Sequence, residues 1–174
     1  MLVCVVLVWL SEDKMIDDQR PDFRDILMDS GIVSHVDKVD GGLAFEIESE
    51  SGNLQAHAVS VLDSVVLIFD LGITVSDDGS VTAISAFMNE CSSHLPFGEF
   101  YLAFGSDVSF KIYLFGASAS SEEDVKFAIL WAQDILNSYK NGFHAVLGGF
   151  AEPKEVANKI RDALMKRDRR LREE

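Results

Sequence analysis

The chain has 174 residues, 48% of them hydrophobic with 12 Phe, and a formal net charge of −14 at pH 7. That is the length of one domain able to bury a core, and so acidic a body argues against nucleic-acid binding through the surface as a whole. Two cysteines are too few for a disulfide framework or a zinc site, and nothing else indicates an oxidising compartment, so a cytoplasmic protein is expected.

Residues 1–10, MLVCVVLVWL, are apolar. The run is about half the length of a membrane-spanning helix and lacks the basic flank and small-residue cleavage site of a secretory signal. Its β-branched residues favour a strand. Residues 1–14 are therefore an apolar extension, either an extra strand or sequence upstream of a true start at Met15. Pro21 in a first turn, then Phe23, Ile26 and Leu27 on one face and Gly31 as a stop predict a short helix. Four strands follow: Ile32 to Val39, Leu43 to Ser49, Leu54 to Leu62 and Val65 to Val75. Asp40-Gly41-Gly42, Ser51-Gly52-Asn53 and Asp63-Ser64 separate them, and such short links favour an antiparallel meander.

The stretch from Ser80 to Tyr139 carries the clearest signals. Ser80 caps a helix in which Ile84, Phe87, Met88, Cys91 and Leu95 share one face, ended by Pro96. Next comes a hairpin. Phe100, Leu102 and Phe104 alternate with Tyr101 and Ala103, and Val108, Phe110, Ile112 and Leu114 alternate with Lys111 and Tyr113 around Gly105-Ser106-Asp107. Tyr101, Lys111 and Tyr113 should face outward. Ser120 with Glu123 then reads as a capping box. Val125, Ala128, Ile129, Ala132, Ile135, Leu136 and Tyr139 form the core stripe of the second helix, with Asn141-Gly142 as its stop. Phe127 and Trp131 widen that stripe beyond what a helix lying on one sheet needs. Another element of the chain, or another subunit, must cover that shoulder.

Gly148-Gly149 reads as a hinge, and Pro153 opens a last helix with Val156, Ile160, Leu164 and Leu171 on one stripe. From Lys154 to Glu174 there are 8 Lys+Arg against 5 Asp+Glu, so a basic tail follows an acidic body. Glu155–Lys159, Asp162–Lys166 and Asp168–Arg172 are acid-before-base pairs at i,i+4, the signature of a self-paired, solvated helix. The sharper reading has Lys166, Arg167, Arg169 and Arg170 contact the acidic body, a partner subunit or an anionic target.

No phosphate loop, no Gly-x-Ser-x-Gly elbow and no histidine pair at metal-ligand spacing occur. His35, His57, His94 and His144 are scattered, and Cys91 falls in a core stripe, where a thiol is inert. No cofactor, no metal and no catalytic residue are expected.

The order helix, antiparallel strands, helix, hairpin, helix resembles the YbjN family, bacterial proteins linked to the regulation of sensory transduction, whose fold is similar to that of type III secretion chaperones. The residues that carry the resemblance are Ile84-Ser85-Ala86-Phe87-Met88-Asn89-Glu90, Phe97-Gly98-Glu99-Phe100-Tyr101-Leu102, Val108 to Leu114, and Ser120-Ser121-Glu122-Glu123-Asp124-Val125. It implies a non-catalytic α+β protein, often dimeric, acting through protein partners. The expected fold is α+β, an antiparallel sheet (meander plus hairpin) packed against helices. The expected organisation is an extension at 1–14, a YbjN-like domain at 15–147, and a hinge with a basic amphipathic helix at 148–174. The expected function is regulatory or chaperone-like, through a protein partner and a homodimer, with no nucleic acid and no membrane. Phe127, Trp131, Lys166, Arg167, Arg169 and Arg170 are the candidate contact residues. The alternative is a small enzyme with its site between sheet and helices.

Overall fold

The computed structural model describes residues 22–48, 53–62 and 64–173, with the side chains of 168 and 170–173 outside that description. The expectations for residues 1–14, Leu171 and Asp168–Arg172 lie outside the described residues. The fold is α+β, with four α-helices and a six-stranded antiparallel sheet among the described residues. Strands β1 (Val33–Val39), β2 (Gly42–Ile47), β3 (Leu54–Val61) and β4 (Ser64–Thr74) form the meander. Strands β5 (Glu99–Ala103) and β6 (Asp107–Phe115) form the hairpin. The strand order is β1-β2-β3-β4-β6-β5, so β6 seals the meander and β5 becomes an edge.

Pairing brings Phe45, Ala56, Phe69, Phe110 and Phe100 into one row across the sheet. Small Ala56 between two large neighbours lets Phe45 and Phe69 meet edge to face at 6.5 Å, the alternation of sizes that fills a core without strain. Helices α1 (Phe23–Asp29), α2 (Asp78–Ser92) and α3 (Glu122–Leu147) lie over this face, and α4 (Pro153–Glu173) packs on α2 and α3. Phe87, Phe100, Tyr139 and Phe143 interlock beneath them, with Phe87 and Phe143 perpendicular at 4.8 Å. Each such fully buried aromatic contributes about 1.5–3 kcal/mol over leaving it in water.

Neither major helix is capped by the residue that the local pattern favours: the cap lies three residues earlier in α2 and one residue later in α3. The cap of α2 is Asp77, not Ser80: its carboxylate accepts from the Ser80 amide at 2.8 Å. That bond holds the Asp77 carboxyl below its ordinary value. The cap of α3 is Ser121, not Ser120, and it accepts from the Asp124 amide at 3.2 Å. Ser120 instead ends a 3-10 turn, Gly116–Ser120. Phe104 is not in a strand either. Strand β5 stops at Ala103, and Phe104 occupies the turn with φ +50°.

The larger correction concerns the stop of α3. Asn141-Gly142 does not end it; the helix runs on to Leu147. Phe143 and Val146 are buried beyond that point, and Gly142 sits where α2 and α4 press on α3. A Cβ built on Gly142 would stand 2.7 Å from Phe87 Cζ, 2.8 Å from Ile160 Cδ1 and 3.0 Å from Val156 Cγ1. Close approach of three helices outweighs the roughly 1 kcal/mol that a glycine costs inside one. The true end is a Schellman turn: Gly149 takes φ +66°, Phe150 N–H donates to Ala145 O, and Gly149 N–H donates to Val146 O. That turn sends α4 back along α3.

Candidate protein-contact surface

The shoulder of α3 is built from both sides of the helix start. Phe127, Leu130 and Trp131 fall on neighbouring positions of α3, and Phe97 reaches them from the loop between α2 and β5. The Phe97 ring lies 4.8 Å from Trp131 and 5.8 Å from Phe127, tilted against both. Gly98 makes this possible. It has φ +81°, and any Cβ there would run into Phe110 Cζ at 2.4 Å. Ser92 Oγ, at the end of α2, accepts from Phe100 N–H at 3.1 Å and ties the start of β5 to the helix. The loop is thus fixed at its outgoing end and presents Phe97 outward.

The described residues cover this shoulder only in part. Trp131 is half-buried against the core, and its buried indole N–H meets no acceptor among the described residues. Phe127 is 58% exposed, Leu130 46% and Phe97 37%. Phe97 and Leu130 belong to this surface but were not among the expected contact residues. The i,i+3 spacing of Phe127 and Leu130 could have found the second. Phe97 is reached only through the tertiary fold.

The basic tail divides. Arg167 clasps Asp134 on α3 in a two-pronged pair, both N–O distances 2.6 Å. Lys166 and Arg169 are exposed and reach no carboxylate among the described residues; the Arg170 side chain lies outside the description. Glu155 and Lys159 pair as their spacing implies, at 2.6 Å. Asp162 does not pair with Lys166. It takes Arg161 at 3.0 Å, whose guanidinium also lies 3.4 Å from His94 Nε2.

Two hollows lie away from this shoulder. A polar cleft of about 310 Å³ opens between β3, β4 and α3, with Gln55, Asp70, Gln133, Asn137, Lys140 and His144 among its lining residues. Its strands part because β3–β4 pairing stops at Ala56–Phe69 and β4–β6 pairing is interrupted between Asp70 and Thr74. Asp70 turns back to accept from Gly72 N–H at 2.8 Å. The second hollow lies on the sheet face that carries no helix. There Tyr101, Lys111 and Tyr113 point outward as their alternation requires, with the Lys111 ammonium 4.9 Å and 5.4 Å from the two rings and 3.0 Å from Glu99. Burial works against the Lys111 charge, but hydrogen bonds to Tyr113 and Glu99 and the Glu99 charge keep its pKa above the ordinary value. Burial likewise raises Tyr101, against the nearby Lys111.

Among the described residues no group of three or more His, Cys, Asp or Glu could hold a metal ion. No helix among them is long and apolar enough to cross a membrane. Cys91 is buried, and its surroundings raise its thiol well above the usual range, which makes it a poor nucleophile.

No family model matches the chain, and no curated protein sequence matches it. Among solved structures it is similar to YbjN from E. coli, described as a candidate transcription regulator. The TM-score is 0.49 at 10% identity, over 72% of this chain and 86% of that one. The two share too little sequence, and superpose too loosely, for any residue's role to pass between them.

Proposed function

We propose that this chain is a non-catalytic regulatory or chaperone-like module of the cytoplasm that acts through protein–protein contacts. Its Phe97–Phe127–Leu130–Trp131 shoulder would be the contact between two copies in a homodimer. The observation that carries the reading is the exposure of three large apolar side chains on one shoulder, Phe127 and Leu130 on α3 and Phe97 on the loop before β5. Contiguous apolar surface of this kind marks association sites more often than chance exposure. Lys166, Arg169 and Arg170 would face the acidic body of the second copy.

Light scattering of the wild type and of Phe127→Glu tests this. The wild type should show twice the chain mass of 19.2 kDa, and the variant a single chain with an unchanged melting temperature. Single chains for both proteins would remove the dimer. Phe127 suits the test better than Trp131, whose half-buried ring also supports the core.

The enzyme alternative would have to use the polar cleft, the place where Asp70, Lys140 and His144 come to one cavity. No Ser, Thr, Cys or Tyr lines that cleft to act as a nucleophile, and Asp70 is already engaged by the Gly72 amide. Binding is the better reading.

A further inference from the structure

The sheet face without helices is curled. The β1–β2 turn and the β5–β6 turn stand toward opposite ends of the strand order, yet both line one hollow of about 450 Å³, with His57, Val59 and Ile68 between them. Two features of that hollow ask for an explanation that folding does not supply.

The first is Phe104. It is fully exposed and sits at φ +50°, a left-handed conformation that a bulky side chain rarely adopts. A glycine or asparagine there would close the turn with less strain and no ring in water. Backbone strain of this kind concentrates where a side chain is held out for use. The second feature is charge. Among the described residues, Asp37, Asp40, Glu46, Asp70, Glu99 and Asp107 stand around the hollow and across the same face, against Lys111, which Glu99 already pairs, and His35, which lies 3.0 Å from Asp37. Asp107 and Asp70 each accept a hydrogen bond from neutral groups, Thr74 Oγ1 and Gly72 N–H, and neither pairs with a cation among the described residues.

We propose that this hollow docks a lysine- or arginine-rich, apolar-bearing segment of a partner protein, with Phe104 as the anchor. An apolar floor gives such a segment somewhere to bury side chains, and the acidic surround favours cations over an acidic peptide or nucleic acid. The site lies across the sheet from the shoulder on α3, so it does not depend on whether the chain dimerises there.

The test is a titration of the full chain with a labelled short peptide that alternates lysine and leucine, beside a counterpart that alternates glutamate and leucine. The lysine peptide should bind and weaken as salt rises; the glutamate peptide should not bind. Charge alone would draw lysine to any acidic surface, so the decisive arm is Phe104→Gly, which leaves the charge unchanged. That variant should melt at a higher temperature than the wild type and bind the lysine peptide about tenfold more weakly or worse. Phe104→Asn, which also tolerates the left-handed turn, should behave the same way. No binding by the wild type, equal binding by Phe104→Gly, or equal binding of the glutamate peptide would each overturn the proposal. So would a wild-type dimer that Phe104→Gly takes apart, because the occupant would then be a second copy.

Discussion

Helix α3 has two halves that meet the same problem in opposite ways. Its C-terminal half, around Gly142, Phe143 and Val146, is sealed by the protein's own α2 and α4. Its N-terminal half, around Phe127, Leu130 and Trp131, meets the ring of Phe97 among the described residues and leaves Phe127 and Leu130 exposed. Both halves carry more apolar circumference than one sheet can cover. The difference is that a glycine lets two helices close on one end, while large side chains at the other keep neighbours off. An over-wide apolar arc is therefore not one signal but two, and the small residue within it tells them apart.

Filling the sealed half should have the largest effect. Gly142→Leu places a branched chain where even a Cβ meets Phe87, Ile160 and Val156 at 3.0 Å or less. The expected loss is more than about 3 kcal/mol, roughly 10 °C in a chain of this size. Gly142→Ala sets an overpacking cost of about 1–3 kcal/mol against a gain of about 1 kcal/mol in helix propensity. A net loss near 1 kcal/mol follows, because the neighbours press from two helices and Phe87 is itself fully buried. By contrast Phe127→Glu, on the open half, should stay within about 0.5 kcal/mol of wild-type monomer stability. Thermal melts of the three variants compare the halves directly; a Phe127→Glu loss as large as that of Gly142→Leu would erase the distinction.

Tyr139 on α3 and Cys91 on α2, both buried, hold two protons that the unfolded chain would release at high pH. Burial raises Tyr139 from 10.0 to about 12, and it raises Cys91 as well. In the unfolded chain both ionise near their ordinary values, so above those values the folded state binds more protons. Stability must then fall as pH rises. The contribution is complete below about pH 9 and erodes from there upward, with Tyr139 accounting for about 2 kcal/mol of the loss by pH 12. Urea midpoints measured from pH 8 to 11 should decline, and Tyr139→Phe should flatten the part above pH 10. A midpoint independent of pH would show that these groups are wetter than the packing implies.

What the sequence made legible follows from the range of the forces involved. Every residue assigned to the core stripe of α3 is buried, as are Ile84, Phe87, Met88 and Cys91 of α2, because periodicity is a local record of which face meets the core. The meander and hairpin followed from turn residues in the same way. Local grammar failed where several neighbours compete. Ser80 and Ser120 both lost the cap to an adjacent or nearby residue, and Asn141-Gly142 read as a stop because nothing in the window shows Ile160 arriving from α4. Phe97 was missed for the same reason: its partners lie about 30 positions away, and only the fold brings them together. Phe104 fits the alternation of β5 yet belongs to the turn, a choice that Gly105 and the right-handed strand twist make between them.

The smallest expected effect sits where the two halves meet the returning helix. Arg167 and Asp134 hold the far part of α4 against the open half of α3, with side chains 45% and 36% exposed. Two parallel N–H···O contacts favour the pair, but solvent screens it, so its worth should be about 0.5–1 kcal/mol rather than the larger value of a buried pair. Arg167→Ala should lower the melting temperature by about 2 °C. Asp134→Ala should do about the same, and the double variant should cost less than the sum, with the coupling fading in high salt. If the pair pins α4, amide exchange near Leu164 should quicken in Arg167→Ala while that near Val156, locked against Gly142, stays slow. Zero coupling in the cycle would mean that packing alone lays α4 along the shoulder, and the open half of α3 would then owe its exposure to shape rather than to charge.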